Sequence, residues 1–402
     1  MTLAGYADEQ KEFQRLVRQI VNDRDTLAAA REVGSAGCYG DSWRGLAEET
    51  GLAGVAVAEE YGGAGLPAGM MFVIAEELGR GLFAGPYLAS CVMASSLLQT
   101  YGAGPECSEL LEAIASGAVT ATLAWVENPA SWLVSGEVAT RAAPADADAD
   151  ADAGPPAGSP GGSGGHRLDG VKRLVVDGAT ADVVLVLAAK EDGDLGLFAV
   201  ETSAASVTAT ATETLDLTLR LAELRFEGAR ATEIPLTTGV LDAVERTLDL
   251  ARLAVAATQV GAARRCLELS VDYAKTRHQF DKPIGTFQAV KHMCADMAVA
   301  VESAWTSVAF AVRSLESEPE RLRTLSPLVS AYVCDVYRAV TRDTVHVHGG
   351  IGFTWEHDAH LYFKHAQSTS ALFGTPGEMR EILADRVGLT GSFTPIGFGD
   401  SA

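Results

Sequence analysis

Tyr273-Ala274-Lys275-Thr276-Arg277-His278-Gln279-Phe280-Asp281-Lys282-Pro283-Ile284, followed by Phe287-Gln288-Ala289-Val290, joins two long helical patterns. Residues 248–276 form an amphipathic stretch far longer than any strand, and residues 288–315 and 325–347 repeat that character. Long helices in succession predict an antiparallel bundle from about residue 236 onward.

The chain changes character twice upstream of this bundle. Residues 1–118 read as helical. Phe13, Leu16, Val17, Ile20 and Val21 recur at helical spacing, and residues 46–52 and 72–82 offer further helices. The loop Tyr61-Gly62-Gly63-Ala64-Gly65 separates two of them. From Val119 the pattern turns β-branched and alternating, first in Val119-Thr120-Ala121-Thr122-Leu123-Ala124-Trp125 and then in 183–187, 196–200 and 221–226. The predicted fold class is α+β: an N-terminal helical domain (1–118), a central β-barrel or sandwich (119–235) and a C-terminal four-helix bundle (236–402). Residues 143–165, a run of Ala-Asp dipeptides followed by Pro, Gly and Ser, contain no aromatic residue. Such a stretch buries too little apolar surface to offset its ordering entropy, so a disordered insertion between two strands is expected there.

With 402 residues, 48% of them hydrophobic, the chain can bury a large core. A net charge of -22 argues against non-specific nucleic-acid binding. The six cysteines include no CxxC pair, which fits reduced filler residues in a cytoplasmic protein. The N-terminus lacks the basic and apolar regions of a signal peptide, and no uninterrupted apolar run of about 18 residues marks a membrane span. His346, His348, His357, His360 and His365 are dense, but no HExxH or similar ligand set accompanies them. Surface or helix-capping histidines are expected, and no metal.

The opening segment and a second one, His346-Val347-His348-Gly349-Gly350-Ile351-Gly352-Phe353-Thr354, together resemble the acyl-CoA dehydrogenase family. The stretches Gly51-Leu52-Ala53-Gly54-Val55, Glu59-Glu60-Tyr61-Gly62-Gly63, Glu76-Glu77-Leu78-Gly79-Arg80 and Gly170-Val171-Lys172 are similar to that family too, in the same order along the chain. Elementary chemistry agrees. A guanidinium fork at Arg277 matches a pyrophosphate, and Phe280 offers a flat face to an adenine ring. Gly349, Gly350 and Gly352 remove side chains where backbone must approach a ligand closely. The resemblance implies that Arg277, Gln279, Phe280, Gln288, His346, the three glycines and Thr375 contact FAD shared across a subunit interface. It also implies an acyl-CoA thioester as substrate.

The pattern breaks where the family carries out chemistry. Its reaction needs a carboxylate to take the proton next to the thioester. In most members this is the Glu of a Tyr-Glu-Gly-Thr motif; here the segment ends Leu372-Phe373-Gly374-Thr375. Other members place the base 26 residues before the arginine that matches Arg277, and that position is Ala251. Asp249 and Glu245 lie nearby, turned roughly 200° and 240° around the helix. The usual Thr-Glu-Pro reads Val126-Glu127-Asn128-Pro129, and the usual Trp-Ile-Thr reads Leu174-Val175-Val176. Trp125 and Trp132 are the aromatic residues near the lost one. The adenosine-side elements persist while the flavin-ring and base elements are lost. This asymmetry implies a non-catalytic partner of an active acyl-CoA dehydrogenase subunit in a heterotetramer, and the run Gly352-Phe353-Thr354-Trp355-Glu356-His357-Asp358 looks like such partner subunits in actinobacteria. A self-sufficient, homo-oligomeric flavoenzyme with a relocated base and a flavin-free scaffold are the alternatives.

Overall fold

The computed structural model describes residues 8–22, 27, 31, 40–145 and 165–389. The N-terminal helices are α1 (Asp8–Asn22), α2 (Gly40–Thr50), α3 (Gly69–Arg80), α4 (Ser95–Tyr101) and α5 (Pro105–Ala115). A π-helix, Tyr87–Ala94, runs directly into α4. Two buried carboxylates at the end of α3 tie this layer together. Glu77 accepts two hydrogen bonds from Arg18 of α1, at 2.8 and 2.7 Å, and Glu76 accepts from Gln14 and from the indole N–H of Trp305.

Seven strands follow: β1 (Ala121–Ala124), β2 (Arg141–Pro144), β3 (His166–Val176), β4 (Val183–Lys190), β5 (Leu195–Glu201), β6 (Val207–Thr212) and β7 (Leu221–Glu233). Pairings β4–β2, β2–β3, β3–β7, β7–β5 and β5–β4 close a ring, with β1 on β4 and β6 on β7. The two-residue period of a strand explains the fully buried β4. Val184, Val186 and Ala188 point into the ring with Phe198, Leu224 and Phe226. Val183, Leu185 and Leu187 point out against the helices, with Leu97, Leu110 and Leu248. Ala143 and Pro144 belong to β2 and pair with Arg167 and His166, so the β2–β3 connection is shorter than the insertion expected over 143–165. Its residues 146–164 lie outside the described residues.

The C-terminal part consists of α6 (Val240–Thr276), a hairpin of β8 (His278–Gln279) and β9 (Lys282–Pro283), α7 (Gln288–Ser317), α8 (Leu322–His348), α9 (Ala359–Thr369) and α10 (Pro376–Arg386). Helix α8 runs parallel to α6: Ser326 bonds the Asp249 carbonyl, Gln259 meets Cys334, and Tyr273 stacks on His348. By length and composition α7 could cross a membrane, although the sequence shows no unbroken apolar run. In the fold it buries Met297, Val301, Ala304 and Val308 in the same core cluster as residues of α6 and α8.

Helix α3 crosses α6 at backbone contact. A Cβ on Gly79 would lie 2.0 Å from the Thr258 carbonyl oxygen, and one on Gly261 would lie 1.8 Å from that of Glu76. Only glycine permits this approach.

Candidate functional site

Helix α6 separates two chemically different regions. At its C-terminal end Arg277 is the first non-helical residue, and its N–H caps the helix on the Tyr273 carbonyl at 2.8 Å. The hairpin then turns through Phe280 and Asp281, both with positive φ (53° and 61°). Such turns favour Asn and Gly, so a phenylalanine here is strained. The ring is nonetheless 84% exposed, with Phe287 edge-on at 6.1 Å. Arg277, Gln279 and Gln288 are exposed beside it. Helix α8 ends at the same pole. His346 is exposed on its last turn, Gly349 (φ 62°) caps it, and a Cβ at Gly349 or Gly350 would touch nothing within 4 Å. Bare backbone at Gly349 and Gly350 and the Arg277 guanidinium therefore both face solvent at this pole.

The expected surface placement of the histidines is corrected, although His357 does accept the Ala359 N–H at the start of α9. His348, His360 and His365 are buried rather than on the surface, His357 is half-buried, and His346 alone of the five is exposed. Burial lowers the pKa of His348, His357, His360 and His365. Their rings pack on aromatic neighbours, as His348 does on Tyr273 and His360 on Trp355. No group of three or more potential metal ligands occurs among the described residues.

The other region lies near the N-terminal end of α6, where Ala251 is fully buried. Phe373, also fully buried and with φ 61°, packs against Trp132 at 5.3 Å, edge-on, and against Trp125 at 5.9 Å. Trp125 in turn packs on Trp132 at 5.8 Å and donates its indole N–H to the Trp132 carbonyl at 3.0 Å. Three aromatic rings therefore meet at Phe373, one of the two positions where the family's bases are expected; the other, Ala251, belongs to the same buried cluster. Arg252 holds the Phe373 carbonyl at 3.1 Å.

The nearby acids are engaged elsewhere. Asp249 is 1% exposed and accepts from Arg252 at 3.0 Å and from Arg386 at 2.8 and 2.9 Å. Burial pushes its carboxyl upward, and the two guanidiniums pull it back. Glu245 is on the outer side, 3.4 Å from Arg323. Glu127 is also structural. It accepts from Lys172, itself fully buried, at 2.7 Å and from the Ala139 and Thr140 amides. Burial alone would raise the Glu127 carboxyl, but these donors together hold it down at about 2.

Thr375 does not join the other predicted contacts. It caps α10 in a reciprocal pair with Glu378, two residues from Phe373. Arg252, at the aromatic region, and Arg277 are 25 positions apart on α6, which is about 37 Å along its axis. Within one chain the two groups of residues are at opposite ends of the helix. Sequence reasoning missed Arg386. Nothing in spacing links it to Asp249, 137 positions away. The i,i+3 spacing of Asp249 and Arg252 was a visible signal of a helical ion pair.

Known proteins agree with this architecture. The acyl-CoA dehydrogenase N-terminal domain matches residues 7–118, and the C-terminal domain matches residues 239–388. Acyl-CoA dehydrogenase IpdE2 of Mycolicibacterium smegmatis is 33% identical over 336 residues, spanning 84% of each chain. A chain of a variant of the Tcur3481-Tcur3483 steroid ACAD superposes with a TM-score of 0.78 at 30% identity, covering 95% of this chain and 98% of that one. A chain of the ChsE4-ChsE5 complex from Mycobacterium tuberculosis superposes with a TM-score of 0.80 at 26% identity, over 98% and 100%. Helices, closed β ring and bundle in this order, together with both domain matches, make this chain a member of the acyl-CoA dehydrogenase family.

Proposed function

We propose that this chain is the base-less subunit of a heteromeric acyl-CoA dehydrogenase that acts on an acyl-CoA thioester in the cytoplasm. The carrying observation is the aromatic cluster of Trp125, Trp132 and Phe373, with Phe373 and Ala251, the two positions where an acid-base carboxylate would have to stand, in one buried cluster. Phenylalanine accepts no proton, and both oxygens of the nearest buried acid, Asp249, already accept from arginines. The described residues here do not fit a flavin ring with a working base.

The opposite pole fits the adenosine half of FAD. Arg277 would pair with the pyrophosphate, Phe280 would stack on the adenine, and Gln279, Gln288, His346, Gly349, Gly350 and Gly352 would surround them. FAD supplies the hydride acceptor in this family. This chain's part is to bind and orient the nucleotide end for a mate that carries the base, with Thr375 serving as a helix cap. Two of the solved relatives bear paired names, Tcur3481-Tcur3483 and ChsE4-ChsE5, which supports a two-chain assembly.

Purification of the chain alone and after co-expression with a base-carrying family member tests the proposal by flavin counting and native mass. Alone it should be colourless and inactive. With its mate it should form a heterotetramer whose flavin content falls on Arg277→Ala. A yellow enzyme from this chain alone that dehydrogenates an acyl-CoA would overturn the proposal.

A further inference from the structure

A cavity of about 90 Å³ lies where α3, α6 and α9 meet the end of β3 and the start of β7. Ala75, Leu78, Leu82, Val255 and Leu372 give it apolar walls, and every residue that lines it is buried or half-buried. One wall is a histidine. His365 of α9 is 6% exposed, and its Nδ1 is 3.1 Å from the hydroxyl of Tyr337, which is itself fully buried. That hydroxyl gives its own hydrogen to the Tyr362 carbonyl at 3.2 Å. Nδ1 is therefore the donor of the pair, and Nε2 carries the lone pair. Burial holds the ring's pKa below its usual value, against the pull of Asp216, so the ring is neutral.

The Nε2 edge of His365 is the open one. Tyr337 stands on α8, a helix that contributes no residue to the cavity lining, so the bonded edge of the ring faces away from the cavity. Among the described residues nothing donates to Nε2. The Nε2 atoms of His348 and His360 are also unbonded but sealed, whereas that of His365 keeps accessible surface. The hydroxyls around the cavity cannot serve it, because each already donates elsewhere. Thr218 gives its hydrogen to Asp216 at 2.7 Å, Thr258 to the Ala254 carbonyl at 3.0 Å, Thr369 to the carbonyl of His365 itself at 2.7 Å, and Tyr87 to the Met71 carbonyl at 3.1 Å. A buried acceptor without a donor is costly, and the donor it lacks must come from inside the cavity.

Charge and size narrow the ligand class. The two ions in the lining, Arg220 and Asp177, are joined at 2.8 and 2.6 Å and cancel, so an ion of either sign would be buried without a counter-charge of its own. The volume holds about three waters, or one compact molecule of about five or six heavy atoms, and a three-ring flavin does not fit. We infer that this cavity binds one small uncharged molecule, apolar over most of its surface, that donates a single N–H or O–H hydrogen to Nε2 of His365. The site rests on none of the flavin contacts proposed above.

The test uses pyrrole and furan, rings of the same shape of which only pyrrole donates a hydrogen, on the full chain purified alone. By titration calorimetry pyrrole should bind about tenfold more tightly than furan, the worth of one buried hydrogen bond. In His365→Phe, which keeps the wall but removes the acceptor, that preference should vanish. Imidazole nitrogen NMR of the wild-type chain gives a reading that needs no variant. His365 should show a protonated Nδ1 and a bare Nε2, and the Nε2 resonance should move towards the hydrogen-bonded position with pyrrole and stay in place with furan. A cavity that takes water alone and binds neither ring, equal affinities for the two, a preference that survives in His365→Phe, or an Nε2 resonance unmoved by pyrrole would each overturn the inference. The wild-type titration decides the matter even if His365→Phe fails to fold.

Discussion

The two ends of α6 contrast in how they treat aromatic residues. Near Ala251, Trp125, Trp132 and Phe373 are packed on one another, and Asp249, Arg252 and Arg386 are locked in a buried ion network. At Arg277 the phenylalanine stands in solvent on a strained turn. The first end is built as core, and the second spends stability on presenting a surface. The difference teaches that an aromatic side chain in a family motif is informative only together with its burial. Phe373 is packed between two tryptophans, whereas Phe280 is mostly in solvent with Phe287 at its edge.

The largest effect is expected at the buried end. Asp249→Ala leaves Arg252 inside the protein without its carboxylate and should cost about 3–5 kcal/mol, read as a fall in urea midpoint with no change in slope. A loss below about 1 kcal/mol would mean the network is not buried in solution. At the other end Arg277→Ala should leave the unfolding curve within about 0.5 kcal/mol. In the co-expressed complex the same change should lower flavin affinity by roughly ten- to a hundredfold, as befits a charge-assisted bond. If stability and flavin content fell together, the two ends would not be functionally distinct.

The contrast sharpens in the turn itself. Phe280→Asn/Asp281→Gly installs the residues that a two-residue hairpin with positive φ prefers and should stabilise the chain by up to about 1 kcal/mol. Flavin retention in the complex should drop in the same variant. Opposite signs in thermal unfolding and flavin content are the expected signature; a rise in both would show that Phe280 holds nothing. The last effect is confined to acid. The Glu127 carboxyl titrates at about 2 in the fold, below its ordinary 4.5. Its stabilising contribution is therefore complete above about pH 4.5 and lost as pH falls through about 2. Glu127→Gln should flatten that part of the stability–pH curve.

Much of this was legible in the sequence. Helical periodicity located the three long helices to within a few residues at most of their ends, because a one-sided apolar face must be buried. Strand β7 was only half seen. Its later part, from Glu227 to Glu233, alternates among small and charged residues whose burial is decided by β3 and β5 rather than by their own character. Phe373 and Ala251 were visible as apolar residues at the positions where the family's bases are expected. What filled the space was not, since the meeting of Trp125, Trp132 and Phe373 depends on residues 248 positions apart in the chain. The burial of His348, His360 and His365 was likewise set by tertiary neighbours.

The glycine crossing of α3 on α6 has a mechanical meaning. Gly261 stands between Arg252 and Arg277 on α6, and there the helix touches the α3 backbone with no side chain in between. A pivot of bare main chain has no rotamers to rearrange, so α6 can neither slide like a piston nor roll about its axis without atomic collision. Signals between its two poles cannot travel as a displacement of that rod.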